Sequence, residues 1–214
     1  MASQSKLAIY WDVDDVVLNT SETVIQLIND NYNRPNSKPM KEFEDLKDWK
    51  MKSINRDIES GYIWEVLESN EFWDRVSFNE KFIKFISSPT AQRFRHYFLT
   101  VGTLPNLQKK HNQLCGILHN ALDLEKDYNF IGLPPHTDKH IIDMEGGIQI
   151  DDNLKNLVYT NAEIKILLKN NLETDYNIYS KFRKDSIRNL YETNTLEETF
   201  QILDFILSHP GVLI

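Results

Sequence analysis

The stretch LAIYWDVDDVVLNT, residues 7–20, places three acids within four positions, directly after a run of apolar and aromatic residues. The apolar run predicts a buried β-strand, and the acids mark its carboxyl end. Asp12, Asp14 and Asp15 would repel one another if they lay close together, so we expect a nearby cation to compensate their charge. The stretch therefore predicts a strand that ends in a charged, cation-binding position.

The composition is that of a globular chain with a sizeable core. The chain has 214 residues, of which 41% are hydrophobic, and a formal net charge of −8. This acidic balance argues against an extended nucleic-acid surface, but a small anionic substrate can still meet a local cation. The single cysteine, Cys115, excludes an internal disulfide and a cysteine-based zinc site.

The sequence also bears on location and partners. No apolar run approaches the ~20 residues of a membrane helix, and the first residues do not resemble a signal peptide. We therefore expect a soluble, cytoplasmic protein that does not associate with a membrane. The sequence gives no indication of the oligomeric state.

Five short apolar runs predict β-strands, because each is rich in Ile, Leu, Val, Phe or Tyr and is bounded by turn residues. They are Leu7–Val13, His96–Val101, Asn129–Leu133, Gly147–Asp152 and Glu163–Leu168. Helical patterns fill most of the intervals, including Leu104–Leu124 and Thr195–Leu207. Strands that alternate with helices predict a parallel five-stranded sheet covered on both faces, which is a three-layer, Rossmann-like α/β core.

The interval between the first two predicted strands is too long for an ordinary crossover. It contains Trp49, Trp64 and Trp73 and several segments with helical patterns, whereas a single βα connection needs only one helix. We therefore expect a helical cap inserted after strand 1, at residues 19–91, and an α/β core made of residues 1–18 and 92–214. The alternative is that these helices form one layer of the core itself.

Acid pairs end the first and the fourth predicted strands: Asp12 with Asp14, and Asp151 with Asp152. The carboxyl ends of parallel strands form the usual ligand crevice of such sheets. Carboxylates are the hard oxygen ligands that Mg²⁺ prefers. One carboxylate can attack phosphorus, and a second carboxyl group can protonate the leaving oxygen and later activate water. The two pairs therefore predict Mg²⁺-dependent phosphoryl chemistry.

Groups suited to hold a phosphoryl group lie between these acid pairs. Thr100 and Val101 end the second predicted strand, and a hydroxyl with free backbone N–H groups at the start of a helix favours phosphate binding. Lys139 lies just upstream of the fourth strand and could balance the phosphoryl charge. Lys109 and Lys110 compete with it for this role, and we favour Lys139 because of its position before strand four.

The order of these motifs resembles that of the haloacid dehalogenase (HAD) superfamily of Mg²⁺-dependent phosphatases. The segments YWDVDDVV and YFLT, then Lys139, then IQIDD resemble its four motifs within residues 7–160. The resemblance implies that Asp12 is the nucleophile and that Asp14 is the general acid and base. It favours a phosphatase over a dehalogenase, because dehalogenases of the superfamily lack the acid at the position of Asp14.

The same resemblance implies a ligand set for the metal and for the substrate. Asp12, the backbone carbonyl of Asp14 and the carboxylate of Asp152 would ligate Mg²⁺. Asp151 would contact the ion through a water molecule. The motif residues Thr100 and Lys139 would bind the phosphoryl group.

Within the superfamily, the chain is most similar to the 5′(3′)-deoxyribonucleotidase-like subgroup. The segment HTDKHIIDMEGGIQIDD resembles a T-x-D-K … I-D-D stretch of that subgroup. Asp15, Asn19 and Val101 depart from its pattern, which has a glycine, an acid and a small polar residue at these positions. The resemblance implies a small phosphorylated substrate such as a (deoxy)nucleoside monophosphate, and Phe72 and Trp73 could stack on its base.

Alternatives remain for the function and for several residues. The chain could act on a phosphoprotein or on a nucleic-acid phosphate terminus, or it could be a HAD-like scaffold that binds without turnover. Asp15 points away from the other acids in an extended strand, so a turn or capping role is favoured. Phe72 and Trp73 could form a small core of the cap. Tyr176 and Asn177 are candidates for the rim of the site.

Overall fold

A computed structural model describes residues 6–31, 41–59, 61–174 and 187–209 of the chain. Within these residues a six-stranded sheet has the order β3-β2-β1-β4-β5-β6. The strands are β1 Leu7–Asp12, β2 Phe94–Val101, β3 Tyr128–Leu133, β4 Ile148–Asp151, β5 Ile164–Leu168 and β6 Leu190–Thr193. Every neighbouring pair is parallel, so all six carboxyl ends lie at one edge of the sheet.

The strand β1 lies in the middle of the sheet, a buried position that its apolar sequence suits. It pairs with β2 on one side and with β4 on the other, where Trp11 is opposite Ile150. Asp12 and Asp151, the residues that follow this pair, therefore end neighbouring strands. Because the chain runs outward from β1 in both directions, this is the switch point at which open α/β sheets bind their ligands.

Helices fill the connections between the strands. They are α1 Thr20–Asn31, α2 Tyr62–Glu68, α3 Asn70–Arg75, α4 Glu80–Ile86, α5 Leu104–Leu118, α6 Leu154–Val158 and α7 Leu196–Ser208. The helix α7 begins as its sequence predicts, since the Thr195 hydroxyl accepts the Glu198 N–H at 3.3 Å. Among the helices of the described residues, none combines the length and the apolar character that a membrane span requires.

The sheet is covered on both faces. On one face, Trp11 of β1 packs edge-on against Phe82 of α4, with ring centroids 5.2 Å apart. On the same side, Phe85 of α4 stacks on Phe200 of α7 at 4.2 Å. On the opposite face, α6 packs against Leu167 of β5. The predicted α/β architecture with a parallel sheet is thus confirmed.

The residues between β1 and β2 fold into α1, α2, α3 and α4, but their packing does not separate them from the sheet. The helices α1, α2 and α3 contact one another, while α4 packs directly on β1. Their buried side chains belong to the same apolar cluster as the sheet. A distinct cap at residues 19–91 therefore stays a proposal, as does a core made of residues 1–18 and 92–214.

The prediction of five strands is wrong, because the sheet has a sixth strand, β6, paired with β5. This edge strand has only four residues, LYET, and two of them are exposed, so it lacks the apolar run by which the other strands were recognised. The helix α5 ends at Leu118 and not at Leu124. The predicted rim residues Tyr176 and Asn177 lie outside the described residues.

Candidate active site

A tight turn follows β1 and gives the three acids of the opening motif different surroundings. The Val13 carbonyl accepts the N–H groups of Val17 at 3.1 Å and of Leu18 at 2.8 Å. Asp15 has a φ of 57°, in the left-handed region that Asp tolerates better than most residues. Because the chain turns here and does not continue as a strand, the side chains of Asp12 and Asp14 have separate partners.

Asp12 is the last residue of β1 and is 7% exposed. Its Oδ1 atom accepts the Val13 N–H at 2.6 Å and lies 2.7 Å from Lys139 Nζ. Among the described residues, no donor contacts its Oδ2 atom. Burial raises the pKa of Asp12 to about 7, because Lys139 offsets only part of the desolvation and Asp151 and Asp14 add repulsion. Asp12 therefore has one anchored oxygen and one that can react.

Lys139 links Asp12 to the end of the neighbouring strand. Its Nζ atom lies 2.8 Å from Oδ2 of Asp151, and the lysine is 4% exposed. Burial alone would lower the pKa of Lys139, but the two carboxylates outweigh it and raise the pKa. The buried ammonium thus stays charged between two acids, where it can also meet the oxygens of a phosphoryl group.

Asp152 completes a cluster of three acids. Carboxylate oxygens of Asp12, Asp151 and Asp152 lie within 4.8 Å of one another. Burial raises the pKa of Asp152 well above its usual value, and repulsion from Asp12 and Asp15 raises it further. The donor set of hard oxygens fits Mg²⁺, and a divalent cation would relieve the repulsion that the single Lys139 leaves uncompensated.

The side chain of Asp14 lies outside this cluster and has its own cation. It accepts hydrogen bonds from Thr20 Oγ1 at 2.9 Å and from Thr100 Oγ1 at 3.3 Å, and it forms an ion pair with Lys110. Burial would raise the pKa of Asp14, but Lys110 and the hydrogen bonds outweigh it and lower the pKa. The backbone carbonyl of Asp14 as a metal ligand stays a prediction.

Asp15 caps the first helix, which confirms its structural interpretation. Its Oδ1 atom accepts the Ser21 N–H at 2.7 Å, and its Oδ2 atom accepts the Ser21 hydroxyl. Asn170, which follows β5, donates to the Asp15 carbonyl at 2.7 Å. Burial raises the pKa of Asp15 to about 6, although the hydrogen bonds from Ser21 lower it in part. Asp15 therefore fixes the start of α1 and the exit of the turn.

The structure brings two lysines to the acids where one was predicted. Lys139, the lysine favoured from the sequence, contacts Asp12, and Lys110 donates to Thr100 Oγ1 at 2.8 Å in addition to its ion pair with Asp14. Lys110 was considered from the sequence only as a competitor of Lys139. The sequence pattern could have indicated this role for Lys110. The residue lies four residues before Leu114 on the buried face of α5, where a charge needs a partner.

The second strand ends in Thr100 and Val101, whose role in phosphate binding stays a prediction. Thr100 is fully buried and lies beside Asp14 and Lys110. The side chain of Val101 packs in an apolar cluster with Leu133. The N–H of the next residue, Gly102, is not free, because it donates to the Leu133 carbonyl at 2.9 Å and extends the pairing of β2 with β3.

Phe72 and Trp73, the candidate base-stacking residues, are buried among the helices. Phe72 is 1% exposed and Trp73 is 8% exposed. Their rings meet edge-on with centroids 5.0 Å apart, and Trp73 Nε1 donates to the Leu67 carbonyl at 2.9 Å. This packing fits the alternative of a small helical core, and contact with a substrate stays a prediction.

The sequence matches no family model and no curated protein, but the fold matches solved structures. The crystal structure of a proposed phosphatase from Clostridium difficile has a TM-score of 0.56 at 11% identity, over 94% of this chain and 100% of that chain. The proposed HAD hydrolase YfnB from Bacillus subtilis, bound to magnesium, has a TM-score of 0.54 at 13% identity, over 94% of this chain and 100% of that chain. The chain therefore has the parallel α/β fold of HAD hydrolases.

Proposed function

We propose that this protein is a Mg²⁺-dependent phosphomonoesterase in which Asp12 is the nucleophile. The observation that carries the proposal is the position of Asp12 at the end of β1, where Lys139 holds its Oδ1 atom at 2.7 Å and Asp151 and Asp152 lie beside it. A buried carboxylate with one anchored and one reactive oxygen suits covalent catalysis. The fold of HAD hydrolases supports the same chemistry.

The acid cluster would hold the metal ion. Asp12 and Asp152 would ligate Mg²⁺ together with the backbone carbonyl of Asp14, and Asp151 would contact it through a water molecule. When bound, the ion supplies positive charge to the phosphoryl oxygens and to the crowded carboxylates. The HAD-type neighbour YfnB is bound to magnesium, which supports this assignment.

In the first step, a carboxylate oxygen of Asp12 attacks phosphorus and the bond to the ester oxygen breaks. The leaving oxygen takes a proton from the carboxyl group of Asp14, and an aspartyl-phosphate forms on Asp12. Lys139, Thr100 and the backbone of Val101 hold the phosphoryl oxygens during the transfer. Lys110 contributes by orienting Asp14 and Thr100, with which it is in contact.

In the second step, the Asp14 carboxylate takes a proton from a water molecule that attacks phosphorus. The bond from phosphorus to Asp12 breaks, and inorganic phosphate leaves. Lys110 lowers the pKa of Asp14, so the free protein carries the base form of this residue. The proton for the first step therefore enters with the substrate, since a phosphomonoester has a second pKa of ~6 and binds partly as the monoanion.

The substrate is expected to be a small phosphorylated metabolite, with a (deoxy)nucleoside monophosphate as the first candidate and 5′-nucleotidase as the corresponding activity. This choice rests on the resemblance of HTDKHIIDMEGGIQIDD to the nucleotidase-like subgroup. The helices at residues 19–91 would close over the substrate as a cap, with Phe72 and Trp73 near its base. A cytoplasmic location belongs to the same proposal.

The test measures phosphate release from a panel of phosphomonoesters that includes nucleoside 5′- and 3′-monophosphates, in Mg²⁺ and then in EDTA. We expect release that requires the metal and is abolished in Asp12→Asn, while an exposed-acid control, Asp74→Asn, keeps full activity. Retained activity in folded Asp12→Asn contradicts the mechanism. If the folded protein releases no phosphate from any substrate of the panel, the result contradicts a small-molecule phosphatase. It then favours a phosphoprotein or nucleic-acid terminus as the substrate, or a scaffold without turnover.

A further inference from the structure

Asp151 is surrounded by donors from the protein itself. It is fully buried, and its two oxygens accept from Lys139 Nζ at 2.8 Å, from the Asn153 N–H at 2.9 Å and from Asn156 Nδ2. Gln149 Nε2 lies a further 3.5 Å from Oδ2. A carboxylate has about four lone-pair sites, so protein donors occupy most of the acceptor capacity of Asp151. Its direct role is therefore to hold other groups.

Asn156 makes the most complete of these contacts. Its Nδ2 atom lies 3.0 Å from Oδ1 and 3.1 Å from Oδ2 of Asp151, so a single amide touches both oxygens and fixes the plane of the carboxylate. Asn156 lies on α6, which starts three residues after β4 ends. The buried side chains of Leu154 and Leu157 fasten this short helix to the sheet, so the amide is presented from a fixed position.

Gln149 supports the same carboxylate from within the sheet. It lies two residues before Asp151 on β4, so both side chains are on one face. Gln149 is 1% exposed, and its Oε1 atom has no hydrogen-bond partner among the described residues. A buried unpaired polar atom costs free energy, and an apolar residue would avoid that cost here. The presence of a glutamine is therefore consistent with a role beyond packing.

The arrangement extends from α6 to the proposed nucleophile. Asn156 fixes Asp151, Asp151 holds Lys139 at 2.8 Å, and Lys139 holds Asp12 at 2.7 Å. Lys139 lies in a single 3₁₀ turn, Lys139–Ile141, which by itself gives a long side chain little orientation. The ammonium group is therefore placed by its partners.

We propose that Asn156 is a positioning residue which, with Gln149, sets the Asp151 carboxylate so that it holds the Lys139 ammonium against Asp12. The inference rests on the proposed function for its consequence, since the placed ammonium is the group that meets the phosphoryl oxygens. Asn156 acts through Asp151 and Lys139 and does not touch the reacting atoms. Its loss should therefore lower kcat with little change in KM.

The experiment compares the wild type with Asn156→Leu, which keeps the size of the side chain but cannot donate, and with the control Asn161→Leu. Asn161 is exposed, donates to Asp143 at 2.7 Å and accepts the Met144 N–H at 2.9 Å, so this control variant loses side-chain hydrogen bonds outside the network. The first readout is the ¹H–¹⁵N signal of the Lys139 ammonium, assigned by its absence in Lys139→Met. We expect the signal in the wild type and in Asn161→Leu, and its loss in Asn156→Leu.

The second readout is hydrolysis of p-nitrophenyl phosphate in Mg²⁺. We expect kcat of Asn156→Leu to fall by about 10- to 100-fold, the usual effect of removing a partner that orients a site residue, with KM nearly unchanged. Gln149→Met should show a smaller fall in kcat at equal or higher thermal stability. If Asn156→Leu fails to fold, the same two measurements are made on Asn156→Ala.

The outcomes separate this inference from the proposed function. An intact Lys139 signal and an unchanged kcat in folded Asn156→Leu overturn the positioning role. A wild type without any phosphatase activity overturns the proposed function, while the Lys139 signal still decides whether Asn156 places the ammonium. Equal losses in Asn156→Leu and Asn161→Leu would indicate general destabilisation and also count against the inference.

Discussion

Lys109 and Lys110 are neighbours on α5, yet their ammonium groups bind different parts of the molecule. Lys110 is 3% exposed and pairs with Asp14. Lys109 lies nearer the surface, where it donates to the side chain of Asn70, the first residue of α3, at 3.0 Å. Successive residues of a helix point about 100° apart, so two adjacent lysines reach separate surroundings. The pair provides a test of the site with a built-in control.

We expect Lys110→Met to lower phosphate release by about 10- to 100-fold, the effect typical of removing a partner that orients site residues. Lys110 lowers the pKa of Asp14, so its removal raises that pKa and moves the acid limb of the kcat/KM profile to higher pH. Lys109→Met should keep near-normal turnover and an unchanged profile. The measurement is a pH–rate series for both variants, and equal profiles would contradict a role for Lys110 in orienting Asp14.

Mg²⁺ should stabilise the folded protein through the acid cluster. A ligand that binds only the folded state raises the melting temperature, and the rise grows with the logarithm of the ligand concentration once this exceeds Kd. We expect Mg²⁺ to raise the Tm of the wild type and EDTA to reverse the effect. Asp152→Asn should lose most of this response, whereas the exposed-acid variant Asp74→Asn should retain it. A full Mg²⁺ response in Asp152→Asn would show that the ion binds elsewhere.

Two glycines of neighbouring segments should respond to alanine in opposite directions. A Cβ atom on Gly102 would lie 2.6 Å from Asn106 Oδ1, whose side chain is fixed by a hydrogen bond to the Leu67 carbonyl at 3.1 Å. We therefore expect Gly102→Ala to cost about 1–3 kcal/mol of the free energy of unfolding.

The matched position is Gly116, inside α5, where an added Cβ meets nothing within 4 Å. Gly116→Ala should stabilise the protein by about 0.5–1 kcal/mol, because alanine favours the helix. Urea unfolding of both variants measures the two values. A stable Gly102→Ala would show that Asn106 can move aside.

Acid should destabilise the protein through His96, which is fully buried. Trp11 Nε1 donates to its Nδ1 atom at 3.0 Å, so the ring is neutral and its Nε2 donates to the Ala91 carbonyl at 2.9 Å. Burial lowers the pKa of His96 from 6.5 to about 4. Below pH 6.5 the unfolded chain takes up a proton that the folded chain does not bind until about pH 4.

The stability contributed by neutral His96 is therefore present above pH 6.5 and is lost as the pH falls towards 4. The full loss of unfolding free energy is about 3 kcal/mol, because each pKa unit between the unfolded and the folded state is worth about 1.36 kcal/mol. Unfolding free energies measured across this range should decline in the wild type and in the exposed control His119→Gln. The decline should be smaller in His96→Gln. If the decline in that variant equals that of the wild type, groups other than His96 cause the loss of stability.

Much of the fold follows from local patterns in the sequence. Buried parallel strands are short apolar runs, and five of the six were recognised for that reason. The edge strand β6, with the sequence LYET, was missed because a strand paired on one side only needs few apolar residues. The end of α5 at Leu118 was also missed, since the apolar pattern continues past the point where the chain turns.

The sequence by itself determined which residues could form the site, because the acid pairs stand at the ends of strands and parallel strands share one edge. Tertiary structure alone decided their partners. It paired Lys139 with Asp12, Lys110 with Asp14, and Asn156 with Asp151, through contacts between residues 5 to 127 positions apart. Such contacts depend on strand order and on the rotation of each helix, which local sequence patterns do not encode. The physical reason is that a buried charge takes the nearest partner that the packed fold presents.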